Sequence, residues 1–195
     1  MFTLRLLTLI KFNIMSQTSF NSGQFKCHYY LPYYPTRYNV SSELNDFRKV
    51  VFDFKDGSNS NQIGNSLGKD ISSLNLTPNL NDWWLCAIPA STHSKTVARF
   101  NQFATTFCSN SNINNGYNLL TNKYDRADKH TATDRNLVDV LDSISFGNIA
   151  GKKILLFDDV YTTGKSFRNV ADELLSLGAT SVAGLFLAKT HWLEE

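Results

Sequence analysis

Apolar and polar positions fall in blocks along this chain, each block short enough to be one strand or one helix. Ile154-Leu155-Leu156-Phe157 is a continuous apolar run, the pattern of a central parallel strand covered on both faces. After a polar stretch, Phe167, Val170, Ala171, Leu174 and Leu177 fall on one face of a helix, and Gly178 is placed to close it as a left-handed cap. The same succession stands earlier in the chain. Trp83 to Pro89 reads as a buried strand, Pro89 to Lys95 as a small polar loop, and Val97, Phe100, Ala104 and Phe107 as one face of a second helix. Ser181 to Ala188 is a further apolar strand. Strands alternating with helices predict an α/β fold, a single domain built on a doubly wound, mostly parallel sheet.

The remaining segments carry weaker signals. Gln24 to Tyr34, rich in tyrosine and broken by proline, reads as an edge strand or hairpin, its tyrosines either packed on the main sheet or forming a stacking surface for a base. Phe47 to Phe54 reads as helix or strand, leading to a turn at Lys55-Asp56-Gly57. Ile63, Leu67, Ile71 and Leu74 have helical spacing, with Gly64 and Gly68 lowering helix propensity while allowing close packing. Asn110 to Asn118 is an asparagine-rich turn, and Tyr117 to Thr121 a short strand. Leu137, Val138, Val140, Leu141 and Ile144 suggest a helical return to the central strand. Trp192 is expected to pack on a sheet edge. Residues 1–23 are expected to be a flexible or over-called extension, Met15 being a candidate start, so that the domain spans 24–195. The apolar core of that extension, Leu6 to Ile10, is too short to span a bilayer, and Ser16-Gln17-Thr18 is a poor cleavage site.

The polar stretch after Phe157 carries the chemistry. Thr162, Thr163, Gly164, Lys165 and Ser166 stand at a helix start, where unpaired N–H groups and the helix dipole attract an anion. The hydroxyls add donors, and Gly164 lets backbone come close to a ligand. Asp158 and Asp159, expected just past the strand in a solvated loop, suit a diol or a metal-bound group instead. Phosphate beside vicinal hydroxyls describes a ribose 5-phosphate. Gly164-Lys165-Ser166 also looks like the end of G-x-x-x-x-G-K-[ST], but that motif needs glycine where Asp159 stands. A carboxylate there would face the phosphates, and the triphosphate reading is rejected. Read as mere helix capping, the stretch would leave two adjacent carboxylates without a purpose.

Ile154 through Asp158, Asp159, Val160, Tyr161, Thr162, Thr163 and Gly164 resembles the phosphoribosyl-pyrophosphate signature of type I phosphoribosyltransferases, and more closely the D-D-V-x-T-T-G form of their ComF-like branch. The resemblance extends from about Val50 to Lys189. It implies that the acidic pair binds ribose hydroxyls and that the following loop cradles the 5-phosphate. It also implies a pyrophosphate loop after the first core strand, where Ala90, Ser91 and Thr92 stand. Arg99-Phe100-Asn101-Gln102 is similar to the branch's R-G-F-N-Q string but lacks its glycine, and Phe54-Lys55 occupies the place of a Phe-Lys or Leu-Lys pair. The charged segment 123–135 corresponds to a hood closing over pyrophosphate, with Arg126, Lys129 and His130 as candidate catalytic groups; a solvated connector would have the same composition. His93 and Lys95 are either pyrophosphate contacts or ordinary loop charge. In 6-oxopurine enzymes of this kind a carboxylate stands at the position of Thr162, so a hypoxanthine- or guanine-type acceptor is disfavoured.

The implied reaction is Mg²⁺-dependent displacement of pyrophosphate from phosphoribosyl pyrophosphate by a nitrogen acceptor, the magnesium carried by the substrate near Asp158 and Asp159. Two other functions fit the same residues. One is a non-catalytic sensor of phosphoribosyl pyrophosphate or a nucleotide; the other is an accessory protein of DNA uptake.

Composition narrows this little. The 195 residues suffice for one buried domain, 42% are hydrophobic, and 18% are charged. A net charge of +2 argues against nucleic acid or a membrane surface as partner. A homodimer is compatible with the chain. Cys27, Cys86 and Cys108 form no C-x-x-C pair, so the zinc segment common in ComF-like chains is missing. Cys86 and Cys108 read as buried thiols, and a reducing cytoplasm is the expected compartment.

Overall fold

Ile154 to Phe157 lies at the centre of a six-stranded sheet whose strand order is β1-β2-β8-β7-β3-β4. The structure, a computed structural model, describes residues 17–76, 79–126 and 140–193. The strands are β1 (Thr18–Ser22), β2 (Phe25–Tyr33), β3 (Trp83–Ala87), β4 (Asn114–Asn115), β7 (Lys153–Tyr161) and β8 (Ser181–Thr190). Only β1 runs antiparallel to its neighbour. A separate pair, β5 (Leu120–Asn122) and β6 (Ile144–Phe146), is antiparallel. The chain therefore forms a single α/β domain around a mostly parallel sheet.

Alternation along β7 divides the core. Leu155 and Phe157 face a layer made by α1 (Ser42–Lys55), α2 (Ser60–Lys69) and a long helical stretch. That stretch consists of α3 (His93–Thr96), a π-helical turn (Val97–Asn101) and α4 (Gln102–Ser111). Ile154 and Leu156 face α5 (Lys165–Ser176) on the other side. Phe54, Phe100, Phe103 and Phe157 meet ring to ring, Phe103 stacking on Phe157 at 4.1 Å between centroids. This cluster sits directly beneath the polar end of β7, so that end stands on closely packed aromatic rings.

Several expectations are corrected and several open alternatives resolved. The sheet begins at Thr18, inside the stretch set aside as an extension, because Phe20 packs against Tyr29 and Tyr161 and β1 pairs with β2 over its whole length. Residues 1–16 lie outside the described part of the chain. β2 forms a hairpin with β1, one of the two expected forms, and is not an edge, since it pairs with β8 on its other side. Phe47 to Phe54 is helical, within α1. Of the expected helical return, residues 137–139 lie outside the described residues; Val140–Ser143 is a 3-10 turn and Ile144 begins β6. Phe100, Ala104 and Phe107 are buried as expected, but Val97 is 38% exposed and Thr96 is buried in its stead. Trp192 is 55% exposed rather than packed on an edge, with the Arg37 guanidinium over its ring. Cys86 is fully buried, Cys108 only partly.

Gly64 and Gly68 do permit close approach. A Cβ at Gly64 would lie 2.5 Å from the Phe103 carbonyl oxygen, and one at Gly68 2.5 Å from that of Phe107. Backbone cannot yield as a flexible side chain can, so α2 would have to move off α4. Gly64→Ala and Gly68→Ala are each expected to destabilise the protein by about 1–3 kcal/mol, despite alanine's better helix propensity. Chemical denaturation measures this, and a stabilised variant would contradict the close helix contact.

Candidate functional site

β7 does not end where its apolar run ends. Its pairing with β8 continues through Asp158↔Phe186, Val160↔Ala188 and Tyr161↔Lys189, passing over Asp159. The N–H of Asp159 donates instead to Asp158 Oδ1, at 2.8 Å. The two carboxylates therefore stand within the strand and not in a solvated loop beyond it, because the hydrophobic neighbours Phe186 and Ala188 on β8 carry the pairing past them.

The two acids differ in their surroundings. Asp159 is 8% exposed and accepts a 3.0 Å hydrogen bond from Arg99 Nη1. Arg99 Nε also donates to the Lys55 carbonyl at 2.7 Å, and Lys55 Nζ stands 3.9 Å from Asp159 Oδ1. Arg99 thus joins the π-helical turn, the end of α1 and β7. Among the described residues Asp158 has no such ion pair. Burial, followed by the charge of Asp159, pushes its carboxyl well above the ordinary range; the Asp159 N–H and the charges of Lys55 and Arg99 oppose this only in part.

Beyond Asp159, Tyr161 folds back over the loop. Its hydroxyl donates to Ser22 Oγ at 2.9 Å, and Arg168 Nη1 lies 3.4 Å from both oxygens. Gly164 has φ of +71°, and a Cβ there would run into the Tyr161 ring. The glycine is required by this ring and by its left-handed backbone, a reason that spacing alone did not indicate. Gly164 also occupies the N-cap of α5 and supplies no capping side chain. Lys165 N–H has only a long 3.4 Å contact to Thr163 Oγ1, so the helix start keeps its capacity for an anion. Thr162 Oγ1 meets Thr190 Oγ1 at 3.0 Å, linking the loop to the end of β8.

These groups surround one pocket of about 250 Å³, lined by Tyr33, Lys55, the run from Asp158 to Phe167, and Phe186. Every candidate from Asp158 to Ser166 lines it. Tyr33, Lys55, Phe167 and Phe186 were not anticipated as site residues. Of these, Lys55 left a sequence signal as the second member of the Phe54-Lys55 pair, and Tyr33 as part of the tyrosine-rich segment.

Ala90, Ser91, Thr92 and Arg99 are not among that pocket's lining residues. The loop they belong to is held by its own bonds. Ala90 N–H donates to Thr96 Oγ1 at 2.9 Å, and Asn122 Nδ2 to the Ala90 carbonyl at 2.8 Å. Thr92 Oγ1 caps the Lys95 N–H at 3.2 Å, and the His93 N–H donates to Asp125 at 2.8 Å. Arg126 donates from its N–H to the Ser91 carbonyl at 2.7 Å and from Nη2 to the Pro89 carbonyl at 3.0 Å. Its Nε is buried without a partner. Burial pulls the Arg126 guanidinium below its ordinary value, against the opposing charges of Asp158 and Tyr124. Within the described start of the charged segment, Asp125 and Arg126 are thus docked on the second loop, while the Lys123 N–H donates to the Ser143 carbonyl. Lys129 and His130 lie outside the described residues. Among the described residues no group of three or more His, Cys, Asp or Glu is placed to hold a metal, and no helix is long and apolar enough to cross a membrane.

A scan against protein-family models found no match, and a search of curated proteins found none. Among solved structures, a hypoxanthine-guanine-xanthine phosphoribosyltransferase aligns at 12% identity and a TM-score of 0.36, over 69% of this chain and 64% of that one. The chain spans less than two thirds of that protein's length.

The contrast between the two acids has a measurable consequence. Because the carboxyl of folded Asp158 titrates above its unfolded value, its contribution to stability is fully present below the unfolded pKa. That contribution is lost as pH rises through the folded one. Asp158→Asn is therefore expected to gain stability over the wild type on going from pH 4 to pH 8. Asp159→Asn leaves Arg99 without its anion and is expected to cost on the order of 3 kcal/mol at neutral pH. Thermal melts across pH check both; equal effects of the two variants would contradict the asymmetry.

Proposed function

We propose that this protein binds phosphoribosyl pyrophosphate and transfers its 5-phosphoribosyl group to a nitrogen acceptor, releasing pyrophosphate. The observation that carries the reading is the single pocket joining the carboxyl pair of β7 to an uncapped, hydroxyl-rich helix start. The 5-phosphate would take the N–H groups and hydroxyls of Thr162 to Ser166, and the ribose hydroxyls would donate to Asp158. Val160 and Tyr161 complete the wall. The fold, a mostly parallel sheet with the pocket at a strand's carboxyl end, suits such a ligand.

In the proposed reaction the nitrogen lone pair forms the bond to C1 while the bond from C1 to the pyrophosphate oxygen breaks. The leaving group takes that electron pair. Positive charge grows on the ribose and negative charge on pyrophosphate, so the groups that matter are those facing each. Asp158 in its ionised form would face the ribose. Arg126, with its unpartnered Nε beside the Pro89–Ser91 backbone, would meet the pyrophosphate, together with Ala90, Ser91 and Thr92; Lys129 and His130 are proposed to join it.

Magnesium fits this donor set in one way only. Asp159 is engaged by Arg99, and Asp158, one of whose oxygens accepts the Asp159 N–H, would offer its other oxygen. The ion would come with the substrate and neutralise charge on its pyrophosphate. Arg99 is proposed to act on the ligand through Asp159 rather than by direct contact. Thr162, where 6-oxopurine enzymes carry a carboxylate, disfavours a hypoxanthine- or guanine-type acceptor. The D-D-V-x-T-T-G form and the Phe54-Lys55 pair are what the ComF-like branch would supply.

Calorimetry with phosphoribosyl pyrophosphate and Mg²⁺ tests the binding half. The wild type is expected to bind and Asp158→Asn to lose binding by at least about tenfold. Pyrophosphate release on adding a panel of bases, amines and ammonia tests the chemical half. Undiminished binding by Asp158→Asn would contradict the site, and tight binding without release from any acceptor would leave a sensor.

A further inference from the structure

We propose that Lys55 is the cation that receives the phosphate monoester in the pocket, moving to it from Asp159. This rests on the reading of the pocket as a ribose 5-phosphate site. Asp159 has one negative charge and two cations beside it. Arg99 holds it at 3.0 Å and is itself fixed by a second bond to the Lys55 carbonyl. Lys55 Nζ stands at 3.9 Å, the outer limit of an ion pair, and its side chain is 34% exposed against 18% for Arg99. Arg99 therefore already balances Asp159, and Lys55 is the surplus charge.

The backbone of Lys55 is pinned while its four-carbon stem is not. It ends α1, its carbonyl accepts from Arg99, and its side chain lines the same pocket as Thr162 to Ser166. A phosphate monoester brings about two negative charges toward two carboxyl groups. The helix start and hydroxyls alone do not cancel that charge. Arg168 is turned away toward Tyr161 and Ser22, which leaves Lys55 and the more exposed Lys165 as the lysines of the pocket. Of these, Lys55 stands beside the carboxyl pair, its charge felt by both Asp159 and Asp158. The second loop, Ala90 to Thr92, lines no part of this pocket, so the role is specific to the monoester end.

Ribose 5-phosphate and inorganic pyrophosphate are titrated separately into the full chain, wild type and Lys55→Met, which keeps most of the stem. Ribose 5-phosphate affinity is expected to fall roughly ten- to a hundredfold in the variant, with a shallower salt dependence. Pyrophosphate affinity and the ligand-free Tm are expected to be unchanged. If the wild type binds ribose 5-phosphate and Lys55→Met binds it equally well, the role of Lys55 is overturned while the pocket reading stands. A wild type that binds no ribose 5-phosphate overturns both. A parallel loss for pyrophosphate, or a lowered ligand-free Tm, shows a general or structural role and overturns the assignment.

Discussion

Two adjacent carboxyl groups inside a buried parallel strand are the constraint on which the rest of this site depends. Both cannot remain ionised and unpaired there without a large cost. The protein resolves this unequally. Asp159 receives the Arg99 guanidinium, which also holds the end of α1, and Asp158 is left with its carboxyl displaced toward the neutral form. One acid thereby fastens three elements together, and the other is kept available at the floor of the pocket. Breaking the Arg99 contact would disturb the position of Lys55 and of the π-helical turn as well as the charge balance.

The second organising contact is Tyr161 over Gly164. It ties the loop before α5 to the β1–β2 hairpin through Ser22 and Arg168. Thr162 fastens the loop's other side to Thr190. The loop is thus held from two directions while its helix start stays uncapped. Such preorganisation lowers the ordering cost of binding an anion there. The Pro89–His93 loop is built on the opposite plan, its backbone groups committed to Asn122, Asp125 and Arg126.

Much of the architecture was legible in the sequence because burial on both faces writes continuous apolar runs, as at Ile154 to Phe157. The glycines of α2 were legible for the same reason: with helical periodicity around them, close packing was the natural account. The placement of Asp158 and Asp159 was not, since polarity suggests a strand's end while pairing with β8 decides it. Nor was the division of labour between them, which depends on Arg99 from 60 positions away in the chain. Gly164 was foreseen as conformationally special, but its partner Tyr161 was not. Lys55 was visible only as half of a dipeptide. A pocket neighbour contributed by another element, such as Phe186 on β8, leaves no local pattern to read.

The central claim is that the uncapped start of α5 and the Thr162–Ser166 loop bind the phosphate of a ribose 5-phosphate. Amide hydrogen exchange read residue by residue tests this most directly, with ribose 5-phosphate added to the full chain. The account predicts slowed exchange at Lys165, Ser166 and Phe167, with the amides of Ser91 to His93 unchanged. Exchange at the α5 start that is indifferent to ribose 5-phosphate, at concentrations where calorimetry shows binding, would contradict it.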